Sequence, residues 1–384
     1  MPVAVLGGGH DWYRRAVSRA GLTLDLRGMR HVSVNTESAT LTASGGALVR
    51  NAVNALPEDY ALVTGVHTEV GLAGLAFGGG YGKLNPRFGL VTDNLKRAEV
   101  VLGNGALVTA SETENPDLFW SLRGAGKNFA VLVSADFAIH KLSPVLTATV
   151  FIQPHHAQQG LRSLQDILDE ADDRLSIFSS FAAHPEKGAG LILEPLWTGD
   201  EASGEGYIRR LLSLPGSELV AKSWSFYKET YNAKADQDSW PKGRGYRMDA
   251  INLDRLSDET TGAIIECCLR MPAGQNCIML HDFRGKAARV AADDTAFPHR
   301  RDHFNMQIVA GWQTSQEEIS GEQWVSDVME RVLPFSNQSA YPAVTGPEGQ
   351  ERARNFYGQS LGKLKRLRGY YDAGNRFAAP YGID

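Results

Sequence analysis

The chain has 384 residues, 43% hydrophobic and 22% charged, ordinary values for a globular protein and enough length for two domains or one large one. A net charge of -5 with a pI near 6.1 offers no basic field to a phosphate backbone, which excludes nucleic acid as the principal partner and leaves a small molecule as the default ligand. The three cysteines, Cys267, Cys268 and Cys277, have neither a disulfide nor a zinc spacing, no apolar run reaches bilayer length and no leader pattern is visible. The expectation is a cytoplasmic protein with no metal and no membrane partner; its oligomeric state is left open.

In chain order, a short apolar strand at 2–6 ("PVAVL") runs into "GGGHDWY" at 7–13. Three glycines without Cβ atoms let backbone N–H groups approach an anion, so a phosphate is the first ligand to consider. A nicotinamide-binding βαβ unit ending at Asp25 fails at Trp12, where the third fingerprint glycine should pack helix against strand. From Leu22 to Val133, short β-branched runs alternate with glycine turns, including a hairpin at Asn104-Gly105. Helices are expected over 46–56 and 115–122. The stretch 65–94, "GVHTEVGLAGLAFGGGYGKLNPRFGLVTDN", is too rich in glycine for a long helix and suits backbone laid against a large flat ligand.

After "HKLSP" at 140–144 the pattern changes to amphipathic helices, as at 157–173 and 205–216, among alternating strands such as "SIFSSFAAH", "QNCIMLHDFRG" and "HFNMQIVAGW". The fold class is therefore α+β, with three segments: a cofactor-binding domain at 1–144, a substrate domain at 145–337 and a segment at 338–384 returning to the first. The tail from 351 onward reads as a helix ending in an Asp/Gly/Asn turn.

Together "GGGHDW", the 65–95 stretch, "AEVVLGNGALVTASETENPDLFWSLRGAGKNFAV", "DTAFPHR" and "YGQSLGKLKRLRGYYDAGNRF" resemble the FAD-linked oxidases of the vanillyl-alcohol oxidase superfamily, in the branch resembling berberine bridge enzyme. The resemblance implies an FAD domain built from both chain ends and an inserted antiparallel sheet roofing the flavin. It also implies that Gly7, Gly8 and Gly9 wrap the pyrophosphate and that His10 carries the flavin covalently. Where many relatives have a second, cysteine tether, this chain has His67, so a single tether is expected. The same resemblance puts Val70, Gly71, Gly74, Leu75, Gly80, Tyr81 and Gly82 along the isoalloxazine and ribityl chain. Asp93 and Asn94 would order that motif, Ala130 and Val131 would lie near the adenine half, and Asn375 near the flavin edge.

Two departures from the family pattern stand out. Relatives carry a further segment before the glycine loop, so an upstream start completing the cradle is expected. The usual polar pair after Tyr341 is replaced by Ala343 and Val344, and Asn305 with Gln307 occupies the face where relatives place a carboxylate base. Amides do not accept protons at neutral pH, leaving Tyr341, His281 and His303 beside Asn305 as the catalytic candidates. The expected function is oxidation of an alcohol, sugar or secondary-metabolite substrate by FAD, with oxygen as acceptor. The rival is a homologue without redox activity, serving as a binding or scaffold protein.

Overall fold

Asn104 and Gly105 close a tight hairpin, with Gly105 at φ 87°, between β6 (Leu95–Leu102) and β7 (Leu107–Ser111). The positive φ matches the twist of the strands it joins. In the computed structural model, which describes residues 1–184, 186–231, 238–345, 356–377 and 383, this hairpin forms one side of an antiparallel sheet. Its order is β3 (Val32–Asn35), β4 (Thr40–Ser44), β8 (Ala130–Lys141), β6 and β7, with β5 (Tyr60–Leu62) also paired to β8. Beside it, β1 (Val3–Leu6) and β2 (Leu22–Asp25) pair in parallel.

The expected helices form as α1 (Val49–Ala55) and α4 (Pro116–Ala125), the latter opened by Pro116, whose missing N–H costs nothing in a first turn. Within 65–94 the chain still makes two short helices, α2 (Leu72–Phe77) and α3 (Asn85–Phe88). The apolar run Leu72, Ala73, Ala76 and Phe77 is buried in the core beneath, so packing outweighs the cost of the intervening glycine.

The second half is a seven-stranded antiparallel sheet. Its order is β12 (Ser217–Ser225), β9 (Val145–Ile152), β11 (Gly188–Trp197), β10 (Leu175–His184), β14 (Cys277–Phe283), β15 (His303–Trp312) and β13 (Gly245–Leu253). Strand period decides what each face carries. Along β15, Phe304, Met306, Ile308 and Ala310 enter a core shared with α5 (Ala157–Asp169), α7 (Asp258–Leu269) and α9 (Ser315–Val332). The alternate residues His303, Asn305, Gln307 and Val309 are presented to the opposite face. Helix α6 (Glu201–Leu212) also packs against this sheet, starting at Asp200, whose carboxylate accepts the Ser203 N–H.

The chain end comes back to the first half. Helix α10 (Leu361–Tyr371) lies against α4, Val3 N–H donates to Arg376 O at 2.7 Å, and Phe377 bridges Val3. The expected tail helix begins at Leu361, and its portion before Phe356 lies outside the described residues.

Candidate active site

A cleft with about 1320 Å³ of empty space, mouth included, is lined by β1, the glycine loop, α2, β8 and the segment at 341–344. One wall is the glycine loop. A Cβ on Gly8 would sit 2.3 Å from Gly71 N, and one on Gly71 would sit 2.5 Å from Gly8 N, so the two backbones touch only because both are glycine. Among the described residues no acceptor is found for the N–H groups of Gly7, Gly8 and Gly9. His10 follows on the same wall, its ring 4.5 Å from that of His67. The His67 Nδ1 accepts the Glu69 N–H.

Val70, Gly71, Gly74 and Leu75 continue the wall, and Tyr341, Ala343 and Val344 close one end. Ala130 and Leu132 line the far end, whereas the Val131 side chain, one residue out of phase on β8, turns away. Asn375 is not in the cleft: it sits in a left-handed turn at φ 47° with its side chain held by Arg368.

Gly80 and Gly82 build the turn that presents Tyr81. Gly80 N–H donates to the Tyr341 hydroxyl at 3.0 Å, and a Cβ on Gly82 would fall 2.0 Å from Thr64 O. Asp93 and Asn94 brace the same stretch from behind. Asp93 accepts from Leu90 N at 2.8 Å and from the buried Arg300 guanidinium at 2.7 and 2.8 Å. Asn94 donates to the carbonyls of Phe88 and Leu90.

Above the cleft end, the free face of the seven-stranded sheet forms a roof with a neutral polar hub. Tyr81 donates to Asn305 Oδ1 at 2.7 Å and accepts from the Gln307 amide, while Asn305 Nδ2 donates to Asn252 Oδ1 at 2.8 Å. His281 joins through Nδ1, 3.2 Å from the Tyr81 oxygen, and its ring stacks on Phe178 at 4.0 Å. Burial dominates the ionisation here: it lowers the His281 pKa to about 3, raises Tyr341 to about 12 and also raises Tyr81. His281 is therefore a neutral imidazole with little affinity for a proton. His303 is not part of the hub; it donates from Nδ1 to Arg301 O at 2.8 Å and stacks on Phe283.

Several residues at the cleft were given no site role in the sequence reading. Lys127 enters from the turn after α4, and Asp11 pairs with Arg15 at 3.0 Å. Trp12 forms the rim with Trp240 and Tyr246 at centroid distances of 5.6 and 5.7 Å. The lysine within "RGAGKN" was the available signal for Lys127. Nothing local marks Trp240, which only the fold brings to Trp12.

Residues 1–111 match the FAD binding domain family. The FAD-linked oxidoreductase pgmH of Aspergillus terreus is 44% identical over an alignment covering 97% of this chain and 81% of that protein. The chain belongs to the FAD-linked oxidoreductases. (R)-6-hydroxynicotine oxidase of Paenarthrobacter nicotinovorans is 34% identical over 179 residues, 46% of this chain and 39% of that enzyme. The solved BBE-like 1 of Physcomitrella patens superposes with a TM-score of 0.89 over 100% of this chain and 86% of that one, at 22% identity, and shares the fold. This member of the family is an FAD-dependent oxidoreductase with FAD as its cofactor. The cleft fits that group: orphan N–H donors suit a pyrophosphate and glycine walls admit a flat ring at backbone distance. Among the described residues no cluster of metal ligands and no helix able to cross a membrane is found.

Proposed function

We propose that the protein is an oxidase that takes a hydride from a carbon bearing a hydroxyl or amine in a small, neutral substrate, and that His10 tethers its FAD. The carrying observation is the arrangement of the cleft, with His10 and the glycine loop on its wall and an uncharged hub of Tyr81, His281, Asn305 and Gln307 above its Tyr341 end. FAD held there would supply the two-electron oxidation, with dioxygen as the electron acceptor and hydrogen peroxide as its two-electron product.

The chain's own residues position the substrate and handle its proton. Tyr341 is the hub-side phenol that lines the cleft, and the Gly80 N–H aimed at its oxygen favours the phenolate, partly offsetting burial. Tyr81 has its proton committed to Asn305 and holds the hub in register. We assign the substrate's proton to Tyr341 and substrate orientation to the amides. The domain division at 144 and 337 follows the same reading: one half holds the cofactor and the other selects the substrate. The hydroxynicotine named for the relative above is that enzyme's substrate, and nothing in this hub singles it out.

The test is acid precipitation of purified protein followed by mapping of the yellow peptide, with peroxide detection during turnover. Flavin on the peptide containing His10, released by His10→Ala, is expected; colourless precipitate would remove the tether from the reading. Flavin reduction should quicken steadily toward alkaline pH without an inflection near 6.5, and Tyr341→Phe should flatten that profile. An unchanged profile in the variant would take Tyr341 out of the mechanism.

A further inference from the structure

Lys127 stands apart from the other charges of the cleft. Asp11 and Arg15 are joined to each other, with both Asp11 oxygens on the Arg15 Nε and the Tyr13 N–H on one of them. For the Lys127 ammonium no hydrogen bond or ion pair is found among the described residues. Its stem lies over the short helix α2, with Cε 3.9 Å from where a Cβ on Gly74 would be. Three residues earlier, Gly71 is the residue on which Gly8 packs. Lys127 and the orphan N–H groups of the glycine loop therefore flank the same length of wall.

A half-buried ammonium without a counter-ion is costly, and burial lowers the pKa of this one, with Asp11 the leading opposing charge. The cost is removed when a ligand supplies the anion. FAD does so through a pyrophosphate, which is anionic in every redox state.

We propose that Lys127 is the counter-ion of the FAD pyrophosphate, acting beside the N–H groups of Gly7, Gly8 and Gly9. The inference rests on FAD occupying this cleft. Its test uses protein from riboflavin-starved cells, so that no flavin is attached beforehand, titrated with FAD, ADP and riboflavin. Lys127→Met should weaken FAD and ADP about ten- to hundredfold, the range of a hydrogen bond to a charged group, and leave riboflavin unchanged. Lys127→Arg should keep most of the affinity. Removal of an unpaired cation should also raise the Tm of the flavin-free protein, a shift opposite in sign to that of a damaged fold; Lys127→Gln serves as a second neutral variant if methionine prevents soluble expression.

FAD and ADP binding to Lys127→Met as to wild type would overturn the proposal. So would a loss confined to FAD and riboflavin, which would place the cation at the ring instead. Wild-type protein that binds none of the three ligands would refute the occupancy of the cleft by FAD, a separate failure.

Discussion

The wall of the cleft and the roof above its end are both polar, but by different means. The wall offers backbone: Gly7 to Gly9 carry unclaimed N–H groups, and the Gly8–Gly71 contact allows no side chain. The roof offers side chains, whose donors are largely taken by one another in the Tyr81, Asn305, Gln307 and Asn252 network. A backbone wall is fixed by sterics and tolerates no substitution, whereas a side-chain hub is held by mutual hydrogen bonds and is open to replacement. Sterics therefore constrain the wall more tightly than hydrogen bonding constrains the roof, a division that would suit one redox chemistry applied to a chosen substrate.

The sharpest way to break this contrast is Gly8→Ala. The new Cβ would meet backbone atoms of Gly71, which cannot rotate aside, so flavin occupancy should fall by about a hundredfold or more while the seven-stranded sheet stays folded. Flavin absorbance per protein, with circular dichroism as control, measures this. Normal occupancy would show that the wall yields like a side-chain site.

Next in size is the seam that joins the two regions. Arg300, on the segment leading into β15, holds Asp93 behind the glycine stretch, and both side chains are buried. Arg300→Met leaves that carboxylate buried without its cation and should cost about 3–5 kcal/mol in urea unfolding. A loss under about 1 kcal/mol would mean that the wall stands without the roof's support.

Tyr81→Phe tests the roof. It removes the hub's shared hydroxyl, leaving Asn305 and Gln307 to re-pair, so a stability loss of about 1–3 kcal/mol is expected with flavin occupancy unchanged. Slower flavin reduction with a raised KM should accompany it. Lost flavin would contradict the separation of the two surfaces.

The last test is in pH. Burial lowers the pKa of His281 and His299 to about 3 and of His303 and His140 to about 4, so between these values and about 6.5 the unfolded chain binds protons that the folded one refuses. Their contribution is full above about pH 6.5 and is lost as pH falls, by about 1.4 kcal/mol per histidine for each pH unit in that window. Asp282, raised to about 6 by burial, works the other way, its contribution being lost as pH rises through that value. Four histidines against two carboxyls raised by burial, Asp282 and Asp302, predict a Tm that falls between pH 6.5 and 5; a rising Tm would show that these rings are solvated in the folded protein.

Much of the wall was legible in the residues themselves. Glycine density, the "GGGHDW" loop and the Asn104-Gly105 hairpin are local signals, because a missing Cβ or a positive φ constrains the chain wherever it lies. The alternation in "HFNMQIVAGW" likewise told that Asn305 and Gln307 share a face, since strand period needs no partner. The sequence also supplied the family and its cofactor through motifs long enough to be specific. The tertiary structure alone decided which histidine joins the hub: His281 and His303 sit on adjacent strands with similar local patterns, yet only His281 lies across from Tyr81. It decided that Val131 turns away while Leu132 lines the cleft, that Asn375 is exposed, and that Lys127 meets no counter-ion among the described residues. Each of these depends on the distance between segments far apart in the chain, and burial, charge pairing and pKa are set by that distance rather than by the identity of neighbours in sequence.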